Sequence, residues 1–212
     1  MTGPMSRLAV AGALAATALS GCQADGSAGA SPAPAPVTLA NGSRALAWGD
    51  GAYGLVLVHG AAYDAASWEP QARVFADDGM RVLAVEDASA ESVEAAIRHL
   101  HDAGVDRVAL LGASAGSAPA LQLGREEPDL VDQLIVLSGS GDVTALGDFP
   151  KLFAASEGEG LAADAERMAE EAPGAWNALY LAAGDAHAQA IFGTDGGPGL
   201  LEAIVLRLEE RR

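Results

Sequence analysis

Chemistry first shows in the stretch Gly112-Ala113-Ser114-Ala115-Gly116, which reads G-x-S-x-G. A serine hydroxyl is barely ionised at neutral pH, so it attacks a substrate only with a base within hydrogen-bond reach. The motif carries meaning only where a strand runs into it and a helix runs out. Both flanks fit: Val108-Ala109-Leu110-Leu111 reads as a buried strand, and Ser117-Ala118-Pro119-Ala120-Leu121 as the start of a helix. Glycines on either side let neighbouring backbone approach with no Cβ in the way. The helix start adds unpaired N–H groups and a partial positive charge. The competing reading is a strand-to-helix turn packed with small residues, which are common in this chain. A base would have to come from His59, His99, His101 or His187. His99 and His101 lie two apart on a predicted helix, face different ways and are too poorly spaced for a metal site. They read as surface residues. His59 and His187 both follow apolar runs that read as strands, which places them where open α/β sheets carry their chemistry.

The elements that would position these groups follow from periodicity. Val37 to Trp48 reads as one or two edge strands with a turn at Asn41-Gly42. Leu55-Val56-Leu57-Val58 is a continuous apolar run, the mark of a strand covered on both faces. Ser67 can cap a helix with Pro70 in its first turn, and Trp68, Ala72 and Phe75 share the inner face. Arg81 to Val85 is the next strand. Ser89 is a cap for a helix from about Glu91, ended by Gly104. After the serine turn the helix stops before Pro128. Gln133 to Leu137 and Lys151 to Ala155 are strands, Gly160 to Ala172 is a helix and Trp176 to Ala182 is the last strand. Leu200, Leu201, Ile204, Val205 and Leu208 form an apolar stripe on the final helix. Strands and helices alternate, so the fold class is α/β, with a mostly parallel sheet and helices on both faces.

The chain has 212 residues, half of them apolar, which is enough for one α/β domain with a real core. Its formal charge of −17 repels nucleic acid and anionic lipid headgroups, so neither is expected as a partner. The single cysteine, Cys22, excludes an intramolecular disulfide. Leu8 to Leu19 is an apolar run behind Arg7, too short to span a membrane and suited to a signal-peptide core. It ends in Leu19-Ser20-Gly21-Cys22, which resembles the lipobox of bacterial lipoproteins. In that family the cysteine is lipidated and becomes the new N-terminus. Residues 1–21 are then a signal peptide, and the mature charge is 11 − 29 = −18. Residues 22–36 form the lipidated cysteine and a flexible linker rich in Ala, Pro and Gly. Its fourteen residues after Cys22 reach roughly 40 Å if extended at about 3.1 Å each. The domain is expected over residues 37–212. The implied location is the cell envelope, anchored by lipid to the outer face of a bacterial membrane.

From Val37 to the C-terminus the pattern resembles the α/β-hydrolase family. Three landmarks carry the resemblance in the family's order: His59-Gly60-Ala61-Ala62 followed by Trp68, the turn at Ser114, and Gly184-Asp185-Ala186-His187 after the last strand. The resemblance implies that Ser114 is the nucleophile and His187 the base, His59 serving a structural role in the strand-end motif. It implies an oxyanion hole from the backbone N–H groups of Ala61 and Ala115, each worth roughly 3 kcal/mol in the transition state. The third member should be a carboxylate that holds the imidazole tautomer. Here the chain departs from the common aspartate, offering Ser156-Glu157-Gly158-Glu159-Gly160. Counting from the strand, Glu159 matches the family position and ranks first. Asp142 in the preceding strand-end loop ranks second, and Glu157 third. Asp185 is too close to His187 in sequence to orient it.

Many relatives insert a helical cap where this chain has only Asp142 to Pro150. With no cap domain the site should be open, suiting small or exposed ester substrates over long buried acyl chains. No cofactor and no metal are implied. The resulting expectation is a membrane-tethered, carboxylesterase-like serine hydrolase working through an acyl-enzyme on Ser114. The alternative is a non-catalytic lipoprotein that keeps the fold as a binding or scaffold module.

Overall fold

A computed structural model of the chain describes residues 33–210. Side-chain alternation along the strands sets its layers. In β3 (Tyr53–Val58), Leu55 and Leu57 face one side of the sheet while Val56 and Val58 face the other, and all four are fully buried. β4 (Met80–Val85), β5 (Arg107–Ala113), β6 (Gln133–Leu137) and β7 (Lys151–Ser156) are buried almost throughout. Strands without a polar alternate need cover on both faces. Helices α2 (Ala90–Asp102), α3 (Ser117–Glu126) and α4 (Ala162–Glu171) supply it on one side, through residues such as Ile97, Leu121 and Met168. On the other side α1 (Glu69–Asp77) and α5 (Gly197–Glu209) contribute Phe75, Leu200, Ile204 and Leu208 to the core cluster that also holds Leu57 and Leu111. Each such leucine contributes about 1.5–3 kcal/mol by leaving water.

With β1 (Ala35–Thr38), β2 (Arg44–Trp48) and β8 (Asn177–Ala182), the sheet has eight strands in the order β1-β2-β4-β3-β5-β6-β7-β8. β1 pairs antiparallel with β2, and β2 antiparallel with β4; the pairings from β4 through β8 are parallel. From β3 the chain first builds outward to β4, then crosses to β5 on the opposite side. The carboxyl ends of β3 and β5 therefore border a topological switch point, where open α/β sheets form a crevice. The connection from β6 to β7 runs over residues 138–150 with no helix, so no cap domain covers this end.

Three local details differ from the sequence reading. β1 starts at Ala35, inside the segment read as linker. Pro36 is tolerated there because β1 is the edge strand and pairs only with β2. Ser67 does not cap α1, whose N-cap position is Trp68 with no side-chain bond; the capping side chain is Asp64, one turn earlier. Asp64 accepts from the Ser67 N–H at 2.9 Å and opens a single turn of 3-10 helix, Ala65–Trp68, which leads into α1. His101 is half-buried, its Nδ1 donating to the Val105 carbonyl at 2.7 Å beyond the end of α2. Cys22, the signal segment and most of the linker lie outside the described residues.

Candidate active site

The register of β3 against β5 pairs Val58 with Gly112, so His59-Gly60 lies beside Ala113-Ser114 at the switch point. Ser114 has φ +50, a left-handed conformation costing of order 1–3 kcal/mol for a residue with a side chain. The neighbouring glycines make that turn sterically possible. A Cβ on Gly112 would lie 2.5 Å from the Gly116 carbonyl oxygen. One on Gly116 would lie 2.5 Å from the Val58 oxygen and 2.6 Å from that of His59. The serine turn is thus pressed onto the end of β3, and both spacings of the G-x-S-x-G motif are steric requirements. Ser117 seals the base of the turn, its hydroxyl donating to the Gly112 carbonyl at 3.0 Å.

His187 reaches Ser114 from the loop after β8. Its Nε2 is 2.7 Å from Ser114 Oγ, and its Nδ1 is 2.6 Å from Glu159 Oε2. A carboxylate only accepts, so Nδ1 carries the proton and Nε2 is left to accept from the serine hydroxyl. The histidine side chain is 50 % exposed and the Glu159 side chain only 5 %. Burial of that carboxylate requires partners for its other oxygen. Oε1 accepts from the Ser156 N–H at 2.7 Å and from the Ser138 hydroxyl at 2.5 Å. Ser138 Oγ in turn accepts from the Ala188 N–H at 2.9 Å. Ser138 and Ala188 both have positive φ, at +48 and +51. The two loops are joined further by Ser156 Oγ, which donates to the Ala186 carbonyl at 2.6 Å, and by Gly158 N, which donates to Gly184 O at 2.7 Å.

The other sequence-derived candidates fall elsewhere. Asp142 is exposed and accepts from the Thr144 N–H at 2.9 Å and the Thr144 hydroxyl at 2.8 Å. These two bonds, the backbone one foremost, hold its carboxyl below the usual carboxylate range. Glu157 and Asp185 are exposed, and neither has a hydrogen bond from its side chain to His187. His59 turns its ring nitrogens to two carbonyl oxygens, Gly60 O at 2.9 Å and Glu86 O at 3.2 Å, and so acts on backbone. Ala61 and Ala115 are exposed beside Ser114, on the strand-end loop and on the first turn after the serine. Among the described residues, no group of three or more His, Cys, Asp or Glu side chains is arranged to hold a metal ion.

Three polar residues at the site carry no signal in the sequence: Ser138, Ser156 and Gln189. Their partners are up to 129 positions away in the chain, and serine and glutamine are unremarkable by type.

No family model matches the chain, and no curated protein matches it in sequence. Solved structures are similar in fold. A CIB-like hydrolase from Thermoplasma acidophilum is 18 % identical with a TM-score of 0.67, over 82 % of this chain and 98 % of that one. Epoxide hydrolase A from Mycobacterium thermoresistibile is 14 % identical with a TM-score of 0.68, over 85 % and 99 %. A thermostable carboxylesterase cloned from a metagenomic library is 17 % identical with a TM-score of 0.64, over 85 % and 90 %. At these identities the likeness defines the fold, and the chain has the α/β-hydrolase fold without a cap domain.

Proposed function

We propose that the protein is a serine hydrolase of carboxylesterase type that cleaves small or exposed esters. The observation that carries this reading is the unbroken relay from Ser114 Oγ through His187 to the buried Glu159 carboxylate, at 2.7 and 2.6 Å. In the reaction, Ser114 Oγ attacks the ester carbonyl while His187 Nε2 takes its proton. Charge on the carbonyl oxygen is met by the Ala61 and Ala115 N–H groups, which are fixed in place before the reaction begins. Glu159 stabilises the imidazolium and remains ionised. The imidazolium then protonates the leaving alcohol, and water attacks the acyl-Ser114 by the same route in reverse. Esterases and hydrolases among the similar structures support the coarser part of this reading. The short β6–β7 connection supports the open site. The lipobox at Leu19 to Cys22 supports a tether to the outer face of a membrane.

A fluorophosphonate probe tests the proposal. It should label the isolated domain covalently, and Ser114→Ala should not label. His187→Ala should label slowly and hydrolyse short esters several orders of magnitude more slowly. A domain that is folded yet neither labels nor hydrolyses any ester across a range of chain lengths would make the fold a binding module.

A further inference from the structure

Gln189 joins the loop that carries the base to the loop that carries Ala61. It is 8 % exposed and sits two residues after His187, in the short 3-10 helix Ala188–Gly193. Its Oε1 accepts from the buried Gly60 N–H at 2.9 Å, and its Nε2 donates to Ser67 Oγ at 2.8 Å. The network defines the amide's orientation. Gly60 N–H can only donate, so the oxygen faces it. Ser67 gives its own proton to the Asp64 carbonyl, leaving lone pairs for the Gln189 amide nitrogen. One side chain thus spans both ends of the 60–67 segment.

What this holds is the peptide between Gly60 and Ala61. On its carbonyl side, Gly60 O accepts from the Tyr63 N–H at 3.0 Å and faces His59 Nδ1 at 2.9 Å. In a planar trans peptide the Ala61 N–H then points the opposite way. On the other side of the glycine, its N–H is pinned by Gln189. The tolerance is small, since a Cβ on Gly60 would lie 3.2 Å from the Ser114 Cβ. We propose that Gln189 is a positioning residue for the oxyanion hole, setting the Ala61 N–H relative to Ser114 from the same loop that delivers His187. This inference rests on the serine-hydrolase reading. Ground-state ester binding does not depend on that N–H, whereas the charged tetrahedral oxygen does.

The test compares wild type with Gln189→Leu, Gln189→Glu and Ser67→Ala. Active sites are titrated with the fluorophosphonate probe, so that kcat refers to folded enzyme. Gln189→Leu should lower kcat by about 100-fold, the scale of a displacement near 1 Å, with KM little changed. Inhibition by a trifluoromethyl ketone should weaken by the same factor, because its hemiketal alkoxide needs the same donors. Gln189→Glu keeps the size and the acceptor for Gly60 N–H but loses the amide donor to Ser67 and adds a negative charge at the Gly60 end of the segment, and should also lose kcat and ketone affinity. Ser67→Ala removes one end of the span and should lose less. A lower Tm with wild-type kcat and ketone affinity per titrated site would make Gln189 merely structural and overturn the inference. Should Gln189→Leu not fold, wild-type values in both Gln189→Glu and Ser67→Ala overturn it equally. Wild-type protein that fails to label overturns the hydrolase reading and this one with it. Labelled wild type with unperturbed variants overturns this one alone.

Discussion

Glu159 has both oxygens engaged: one holds the His187 proton and the other takes two donors, Ser156 N–H and Ser138 O–H. Glu159→Gln keeps the shape but offers an amide where an anion was needed, so the wrong imidazole tautomer gains ground. A loss in kcat of about 10⁴-fold is expected, by analogy with a triad aspartate changed to asparagine. Because the relay acts as a unit, adding His187→Ala should deepen the loss little. Asp142→Asn and Glu157→Gln should be nearly silent in the same ester assay; a crippling Asp142→Asn would reassign the acid. Ser138→Ala removes a donor to Glu159 and the acceptor for Ala188 N–H. It should cost about 1–3 kcal/mol in chemical denaturation, with a smaller loss of kcat than Glu159→Gln. At this scale the legible residues were those with a local pattern. Ser114 lies in a five-residue motif whose glycines are steric requirements, and His187 and Glu159 follow strand ends. Ser138 and Gln189 act only through partners brought close by the sheet, so no local pattern marks them.

At the scale of elements, apolar runs and turn residues located every strand of the sheet, because buried parallel strands leave little choice of residue type. The capping of α1 differs from the sequence expectation for a physical reason. Asp64 and Ser67 are both good caps three residues apart, and the extra 3-10 turn that decides between them has no period of its own. β7 carries a further consequence. Lys151 is buried, with Nζ donating to the carbonyls of Phe149 and Pro173 at 2.7 Å each and lying 4.7 Å from the centre of the Phe149 ring. Burial pulls its pKa from 10.5 to about 8, with Asp148 opposing and Arg207 adding to the fall. The folded chain therefore releases a proton near pH 8 that the unfolded chain keeps until about 10.5. The unfolded state binds more protons inside that window, so stability should rise with pH there. Below it the penalty for burying the charge is present in full. Denaturant midpoints from pH 7 to 11 should show the rise in wild type and lose it in Lys151→Met; an equal slope in both would assign it to another group. The β6–β7 connection bears on access. With no cap over His187, short acyl esters should turn over faster than long ones, without activation at an oil–water interface. Preference for emulsified long-chain triglycerides would contradict the open site.

At the scale of the whole chain, an acidic domain follows an N-terminal segment whose sequence reads as an apolar signal core and lipobox. A net charge of −17 gives no attraction to anionic headgroups, so the folded domain has no electrostatic means of staying on a membrane. Among the described residues no helix is long and apolar enough to cross one. Under the tether we propose, residence at a membrane would rest on Cys22 and its acyl chains. One chain gives marginal, reversible binding, whereas two or more anchor stably at about 0.8 kcal/mol per buried CH₂. In that proposal the residues between Cys22 and β1 would reach roughly 40 Å if extended at about 3.1 Å each, several times the Debye length of about 8 Å at physiological salt, so the domain would work beyond the field of the surface. The active-site end of the sheet would then meet soluble or exposed esters, in keeping with the absence of a cap. Cys22→Ala should move the protein from the membrane fraction to the soluble one. Its kcat on short esters should stay at the wild-type value, because Ser114, His187 and Glu159, the residues proposed for the reaction, all lie in the folded domain. Intact mass should show acyl chains on the mature wild-type N-terminus at Cys22 and none in the variant. If Cys22→Ala stays with the membrane as firmly as wild type, and no lipid mass is found on the mature chain, the tether is not Cys22.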